Sequence, residues 1–293
     1  MKRDKKSIYI ALVITIALGV LMAWAGGQHS IQAMNVAVFS LCCYFAFALN
    51  WLVFIPSNMA QTEHYYDLTG SITYISMILL AVALNPGLDT RGKIVALMVL
   101  IWAVRLGSFL FIRIKQDGRD DRFDEIKVNP VRFFFAWTVQ ALWTIMTAAC
   151  ALVILTADKQ APLESIGRVG IVLWIVGFLS EVIADAQKRS FKKDPRHKGQ
   201  FIKTGLWSWS QHPNYFGEIT LWTGVALMAF PIMQGWQHLA LISPLFVVLL
   251  LTRLSGIPML RHKAEARWGD DQEYKNYRAR TFQCCLVYTT EFE

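Results

Sequence analysis

The chain has 293 residues, of which 55% are hydrophobic and only 17% are charged, and its formal net charge is +8. A soluble domain carries about a quarter charged residues, and here the deficit is concentrated in long charge-free runs, which excludes a separate soluble catalytic domain. The excess of positive charge reads as basic loops against an anionic leaflet, not as a nucleic-acid surface.

Residues 7–28, 31–62, 68–88, 133–157 and 219–252 contain no Asp, Glu, Lys or Arg. A bilayer span takes about 20 apolar residues, because in lipid a helix must satisfy its own backbone polar groups. In chain order, helices are expected at 7–25, 31–55, 68–86, 93–113, 132–157, 166–187, 216–232 and 238–258. Pro231 and Gly235 punctuate the last charge-free run and split it into two spans. The expected fold class is all-α, a polytopic membrane bundle of seven or eight helices. Residues 1–25 also fit a cleaved signal peptide ending at Ala23-Trp24-Ala25, which would leave the orientation of the remainder unchanged.

Lys and Arg set that orientation. Lys2, Arg3, Lys5 and Lys6 precede the first helix. Arg113, Lys115, Arg119, Arg122, Lys127 and Arg132 follow the fourth, Lys188 through Lys203 follow the sixth, and the C-terminal tail is basic. Eight spans put all four regions on one side, expected to be the cytoplasmic side of a bacterial inner membrane. The opposite loops hold Arg91, Lys93, Lys159, Arg168 and little else. Cys42-Cys43, Cys150 and Cys284-Cys285 lack metal-ligand spacing, so no metal is expected; Cys284-Cys285 suits acylation.

Polar residues gather at 61–67, 113–132, 181–218 and 261–288, all on the expected cytoplasmic face, where they are expected to converge on one composite site. The most informative segment runs from Gly205 through His212-Pro213-Asn214-Tyr215-Phe216-Gly217-Glu218. It reads as a loop entering a helix whose first turn offers free N–H groups to an anion. Asn214 and Glu218 lie four apart on one face. An interfacial belt of Trp207, Trp209, His212 and Tyr215 explains the residue types equally well, but the density of polar groups in one turn favours a ligand. Glu181, Asp185, Lys188 and Lys192 form a stripe at the end of the sixth helix, where ionisable groups usually face a bundle interior or polar cavity. Arg261 and Glu265 have ion-pair spacing, though a solvated amphipathic helix fits the tail as well.

These residues resemble the steroid 5-alpha-reductase and sterol-reductase superfamily, most closely bacterial members of the steroid 5-alpha-reductase group; isoprenylcysteine carboxyl methyltransferases are related. The resemblance is firm over the C-terminal third, through the motif at 212–218 and the tail Trp268-Gly269…Tyr274…Tyr277. It implies a membrane reductase holding NADPH in a cytoplasm-facing cavity among the C-terminal helices. Its dinucleotide-contacting positions match Asp185, Lys188, Lys192, Trp207, Asn214, Glu218, Arg261, Glu265 and Tyr277. The family's early acid falls at Glu63, beside Gln61. Its tyrosine on the next helix has no counterpart, since 93–113 contains no Tyr, and Tyr65 or Tyr66 is the substitute. The whole chain is then one membrane domain, with N-terminal helices at 1–60, substrate-side helices and a basic loop at 61–132, and a cofactor half with its tail at 133–293.

No G-x-G-x-x-G follows a strand, so a dinucleotide would depend on cations for its phosphates. Arg113, Arg119, Arg122, Lys188, Lys192 and Arg261 can supply them, with Arg suited to bidentate contact. Hydride delivery to a conjugated enone builds charge on the carbonyl oxygen, which a buried donor stabilises. A carboxyl at a span edge is expected to have a raised pKa, so Glu63 is expected to stay protonated and donate, with Tyr66 and Gln61 beside it. The expected reaction is NADPH-dependent reduction of the conjugated C=C bond of a 3-oxo-Δ4 steroid-like lipid that enters from the bilayer, by a monomer. The alternatives are an S-adenosylmethionine-dependent carboxyl methyltransferase of the isoprenylcysteine type and a non-catalytic lipid-binding protein.

Overall fold

The computed structural model describes residues 5–118, 120–159 and 161–284. Among them, eight helices are long and apolar enough to cross a membrane, and the protein is an all-α polytopic membrane protein. It divides into two compact units. One comprises Met1–Glu164 with Met228–Ser243, and the other Ser165–Leu227 with Pro244–Glu293.

The first unit contains α1 (Lys5–Gly27), α2 (Val38–Met59), α3 (Tyr66–Leu84), α4 (Thr90–Asp117) and α5 (Pro130–Thr156). The other four helices pack against α5, in which every residue from Thr144 to Thr156 is buried. A helix apolar all round belongs at the centre of a bundle. Three of its threonines remain compatible with that position because Thr138, Thr144 and Thr156 return their hydroxyls to backbone carbonyls one turn back.

Residues 31–37, expected as the start of a helix, form a hairpin instead, with β1 (Gln32–Ala33) paired antiparallel to β2 (Val36–Ala37). Met34 and Asn35 between them have φ of 52° and 61°, the pair of positive values that a tight two-residue hairpin turn needs. Ile31 N–H donates to the Thr156 carbonyl at 2.7 Å, which fixes the hairpin on the end of α5. The helix begins only at Val38.

The second unit contains α6 (Ser165–Lys193), most of α7 (Pro213–Ala229) and of α8 (Ile242–Leu249), and all of α9 (Gly256–Trp268) and α10 (Gln272–Arg280). Helices α6 and α7 meet at a reciprocal glycine seam. A Cβ on Gly177 would lie 2.5 Å from the Gly217 carbonyl oxygen, one on Gly217 would lie 2.5 Å from the Gly177 oxygen, and one on Gly224 would lie 2.4 Å from the Gly170 oxygen. Small residues seven apart on both helices let the backbones touch, the usual solution where lipid gives no hydrophobic drive to association. The helix expected to end at 258 is interrupted by a π-turn over Leu250–Leu254 and resumes as α9 to Trp268.

Candidate functional site

In the second unit, α6, the loop before α7, α9 and α10 enclose a cavity of about 320 Å³. Six cations line it: Lys188, Lys192, Arg261, Lys263, Arg267 and Arg278. No carboxylate lines it among the described residues. The remaining wall is largely aromatic, from Phe191, Phe201, Trp207, Trp268, Tyr274 and Tyr277.

The wall is built by contacts within this unit. Trp207 donates its indole N–H to the Ala184 carbonyl at 3.1 Å and carries the Lys188 ammonium 4.6 Å above its ring. Tyr277 donates its hydroxyl to the Trp207 carbonyl at 2.7 Å, and Trp268 donates to the Gly199 carbonyl at 2.6 Å. Phe201 packs with Tyr274 and Tyr277 at centroid distances of 5.1 and 5.3 Å. The expected Arg261–Glu265 pair forms, with Arg261 Nε 2.8 Å from Glu265 Oε1. The same oxygen accepts from Arg278 Nη1 at 3.1 Å. Glu265 thus holds two of the cavity's arginines without itself lining it.

His212 lines the cavity, and its ring stacks on Tyr215 at 5.4 Å. Burial, helped by the nearby Lys188 charge, pushes its pKa down to about 3, so the imidazole is neutral at pH 7. His212 Nδ1 and Asn214 Oδ1 are buried polar atoms with no hydrogen-bond partner among the described residues. Buried polar atoms are normally satisfied, so orphans beside a cationic cavity mark a place where a polar ligand fits.

Lys188, Lys192, Trp207, His212, Arg261 and Tyr277 therefore share one cavity. Glu181, Asp185, Asn214, Tyr215, Glu218 and Glu265 do not line it, which corrects the expectation that Asn214 and Glu218 share a cavity with Arg261. The glycine seam is the reason. It brings the first turn of α7 against the last turns of α6, where Asn214 Nδ2 donates to Asp185 Oδ1 at 3.3 Å and Glu181 is buried beside Gly217. Sequence reasoning missed Lys263, Arg267 and Arg278. A signal for part of this wall was present, since Ile257, Leu260, Arg261, Ala264 and Trp268 fall at spacings of three and four along α9 and line one wall.

The first unit has its own polar cluster. Lys127 Nζ lies 2.7 Å from Glu63 Oε2, and Asp120 N–H donates to Glu63 Oε1 at 3.2 Å. Glu63 is 3% exposed. Burial alone would raise its pKa, but the Lys127 hydrogen bond and the backbone N–H groups outweigh it and hold the carboxyl below its ordinary value. The expected protonated Glu63 is thus corrected to a carboxylate, whose ammonium partner Lys127 is pushed up in turn.

Tyr66 donates its hydroxyl to the Ala136 carbonyl at 3.0 Å, and its ring packs 4.7 Å from Phe123 and 5.2 Å from Trp137. Tyr65 is the exposed member of the pair, at 54%. Gln61, at φ 49°, donates to the Asn58 carbonyl within its own turn. Arg113 pairs with Asp67 at 2.9 Å, and Arg122 with Asp120, its Nε 2.8 Å from Oδ2. Both expected phosphate ligands therefore carry carboxylate partners here. Arg119, expected beside them, and Cys285 lie outside the described residues.

A family model described as Protein of unknown function (DUF1295) matches residues 51–281. A probable O-methyltransferase, ustE, from Ustilaginoidea virens is 34% identical over 67 residues, which is 22% of this chain and 23% of that protein. A 3-oxo-5-alpha-steroid 4-dehydrogenase 1 from Bos taurus is also 34% identical over 67 residues, 23% of this chain and 26% of that protein. The chain thus spans about a quarter of the length of these curated relatives. No solved structure matches it significantly.

Proposed function

The chain belongs to the family described as Protein of unknown function (DUF1295), and from that premise we propose that it is a membrane reductase that uses NADPH to reduce the conjugated C=C bond of a 3-oxo-Δ4 steroid-like lipid. The observation that carries this reading is the cavity of the second unit, with six cations and no carboxylate among the described residues. NADPH brings a pyrophosphate and a 2′-phosphate, which arginines recognise by charge and geometry. S-adenosylmethionine brings a sulfonium and an ammonium against a single carboxylate, a net positive charge that calls for far fewer cations. The cavity's charge thus favours reductase over methyltransferase where the two curated relatives do not.

We assign the phosphates to Lys188, Lys192, Arg261, Lys263, Arg267 and Arg278, and the cofactor's aromatic rings to the Trp207, Trp268 and Tyr277 walls. The cavity volume of about 320 Å³ is at the lower end of small-molecule sites and suits part of a dinucleotide. When bound, NADPH supplies the hydride. His212, neutral at pH 7 and orphaned at Nδ1, offers a hydrogen bond without adding charge.

In the first unit we assign the substrate side to Glu63, Tyr66 and Gln61, with the proton held on Lys127. An ammonium clamped by Glu63 is a donor for the oxygen on which charge grows during enone reduction. We place the basic loops on the cytoplasmic side of a bacterial inner membrane by the excess of Lys and Arg there.

The test is turnover by the purified protein in detergent. On adding a 3-oxo-Δ4 steroid, NADPH absorbance should fall while no methyl group passes from S-adenosylmethionine to a prenylcysteine. Methyl transfer without NADPH consumption would replace this reading with the methyltransferase.

A further inference from the structure

The loop that carries Trp207 into the cationic cavity is seated by one turn of α6. A 3-10 turn spans Gly205–Ser208, and among the described residues Thr204 supplies no side-chain cap to it. The cap comes from α6 instead, 19 residues away, where Gln187 Oε1 accepts the Leu206 N–H at 3.0 Å. Gly205 makes that approach possible. At φ 63° it occupies the left-handed region that glycine adopts without strain. A Cβ there would lie 2.5 Å from Gln187 Nε2 and 2.7 Å from its Oε1. The carboxamide therefore fills the space that a side chain at 205 would take.

The same turn of α6 holds Trp207 on two further sides. The Ala184 carbonyl accepts its indole N–H at 3.1 Å, and the Lys188 ammonium lies 4.6 Å from the centre of its ring. Gln187 stands behind that wall, outside the residues that line the cavity. Without Gln187 the partly buried Leu206 N–H loses its acceptor, a cost that the turn relieves by moving. The indole one residue further on moves with it, and the Lys188 ammonium loses the face on which it rests.

We propose that Gln187 is a positioning residue: it fixes the Trp207 wall and the Lys188 ammonium, and so sets the affinity of the phosphorylated cofactor without touching it. The consequence for affinity rests on this cavity being the NADPH site, whereas the placement of Trp207 does not.

The test follows the 19F resonance of Trp207 in the purified, 5-fluorotryptophan-labelled protein in detergent, beside a titration of NADPH. Loss of one signal in Trp207→Phe identifies the resonance. Gln187→Met removes the acceptor at nearly constant volume. It should shift or broaden the Trp207 resonance before any cofactor is added, and raise the NADPH Kd about fivefold, the weight of one hydrogen bond. Gln187→Glu keeps an oxygen at the same reach and should leave the resonance in place. Gly205→Ala displaces the carboxamide and should move the resonance as Gln187→Met does.

An unmoved resonance in Gln187→Met, an equal shift in Gln187→Glu, or a moved resonance with unchanged NADPH affinity overturns the proposal. A moved resonance in a protein that binds no NADPH at all overturns the reductase reading and supports the placement of Trp207 by Gln187. Should Gln187→Met fail to fold, amide exchange in the wild-type protein decides: protection of the Leu206 N–H supports the clamp, and exchange at the rate of an open turn overturns it.

Discussion

The Tyr277 hydroxyl donates to the Trp207 backbone carbonyl at 2.7 Å, and both residues line the cationic cavity. This bond ties α10 to the loop that precedes α7, across 70 residues of sequence. One hydrogen bond contributes about 1 kcal/mol, so Tyr277→Phe should weaken NADPH binding about fivefold while leaving the helical spectrum unchanged. Fluorescence titration of NADPH measures the first and circular dichroism the second.

Glu265 holds Arg261 and Arg278 through one oxygen, and those arginines are assigned to phosphates. Arg261→Ala or Arg278→Ala should each raise the NADPH Kd about tenfold or more, at the scale of a charged hydrogen bond. Glu265→Ala should cost less, because it removes orientation and leaves both charges in place. Titrations at two salt concentrations should show the variants losing part of the wild-type salt dependence.

His212 gives a pH signature. Its folded pKa lies near 3 and its unfolded value near 6.5, so between these the unfolded chain binds the proton and the folded chain does not. Stability contributed by this group is complete above pH 6.5 and is lost as pH falls toward 3, at up to about 1.4 kcal/mol per pH unit. Unfolding of wild type and His212→Gln between pH 7 and 4.5 should show a shallower slope in the variant.

The Glu63–Lys127 pair should behave as a half-buried ion pair. Lys127→Met leaves a carboxylate buried with only backbone partners and should destabilise the protein by about 2–3 kcal/mol. Restoring neutrality with Glu63→Gln in the same chain should recover part of that loss. Urea unfolding of the two single variants and the double variant measures the coupling.

At the α6–α7 seam, a Cβ on Gly217 would sit 2.5 Å from the Gly177 oxygen. Gly217→Ala should therefore push the helices apart and cost about 1–3 kcal/mol, the range for overpacking. A lowered Tm together with lost NADPH binding would place the seam upstream of the cofactor site.

The spans were legible because a bilayer imposes one length and one composition, and each charge-free run becomes a helix or a pair of them. The hairpin at Met34-Asn35 was not legible, because its residues are as apolar as a helix and only the two positive φ values distinguish it. In the cavity, Lys188, Lys192, Trp207, His212, Arg261 and Tyr277 were legible from residue type and from the family resemblance. Lys263, Arg267 and Arg278 were hidden in a tail whose charges read equally well as a solvated face. The carboxylate state of Glu63 depends on Lys127, 64 residues away, a pairing that no local spacing reveals. Asn214 was misplaced for a similar reason, since its neighbour across the seam is set by glycines that carry no chemistry of their own.

Equilibrium binding of NADPH and of S-adenosylmethionine to the purified protein, in parallel with Arg261→Ala, examines the cationic cavity most directly. NADPH should bind, with an affinity that falls as salt rises and falls again in the variant, and S-adenosylmethionine should not. S-adenosylmethionine binding to a protein that ignores NADPH would contradict the assignment of these six cations to a phosphorylated cofactor.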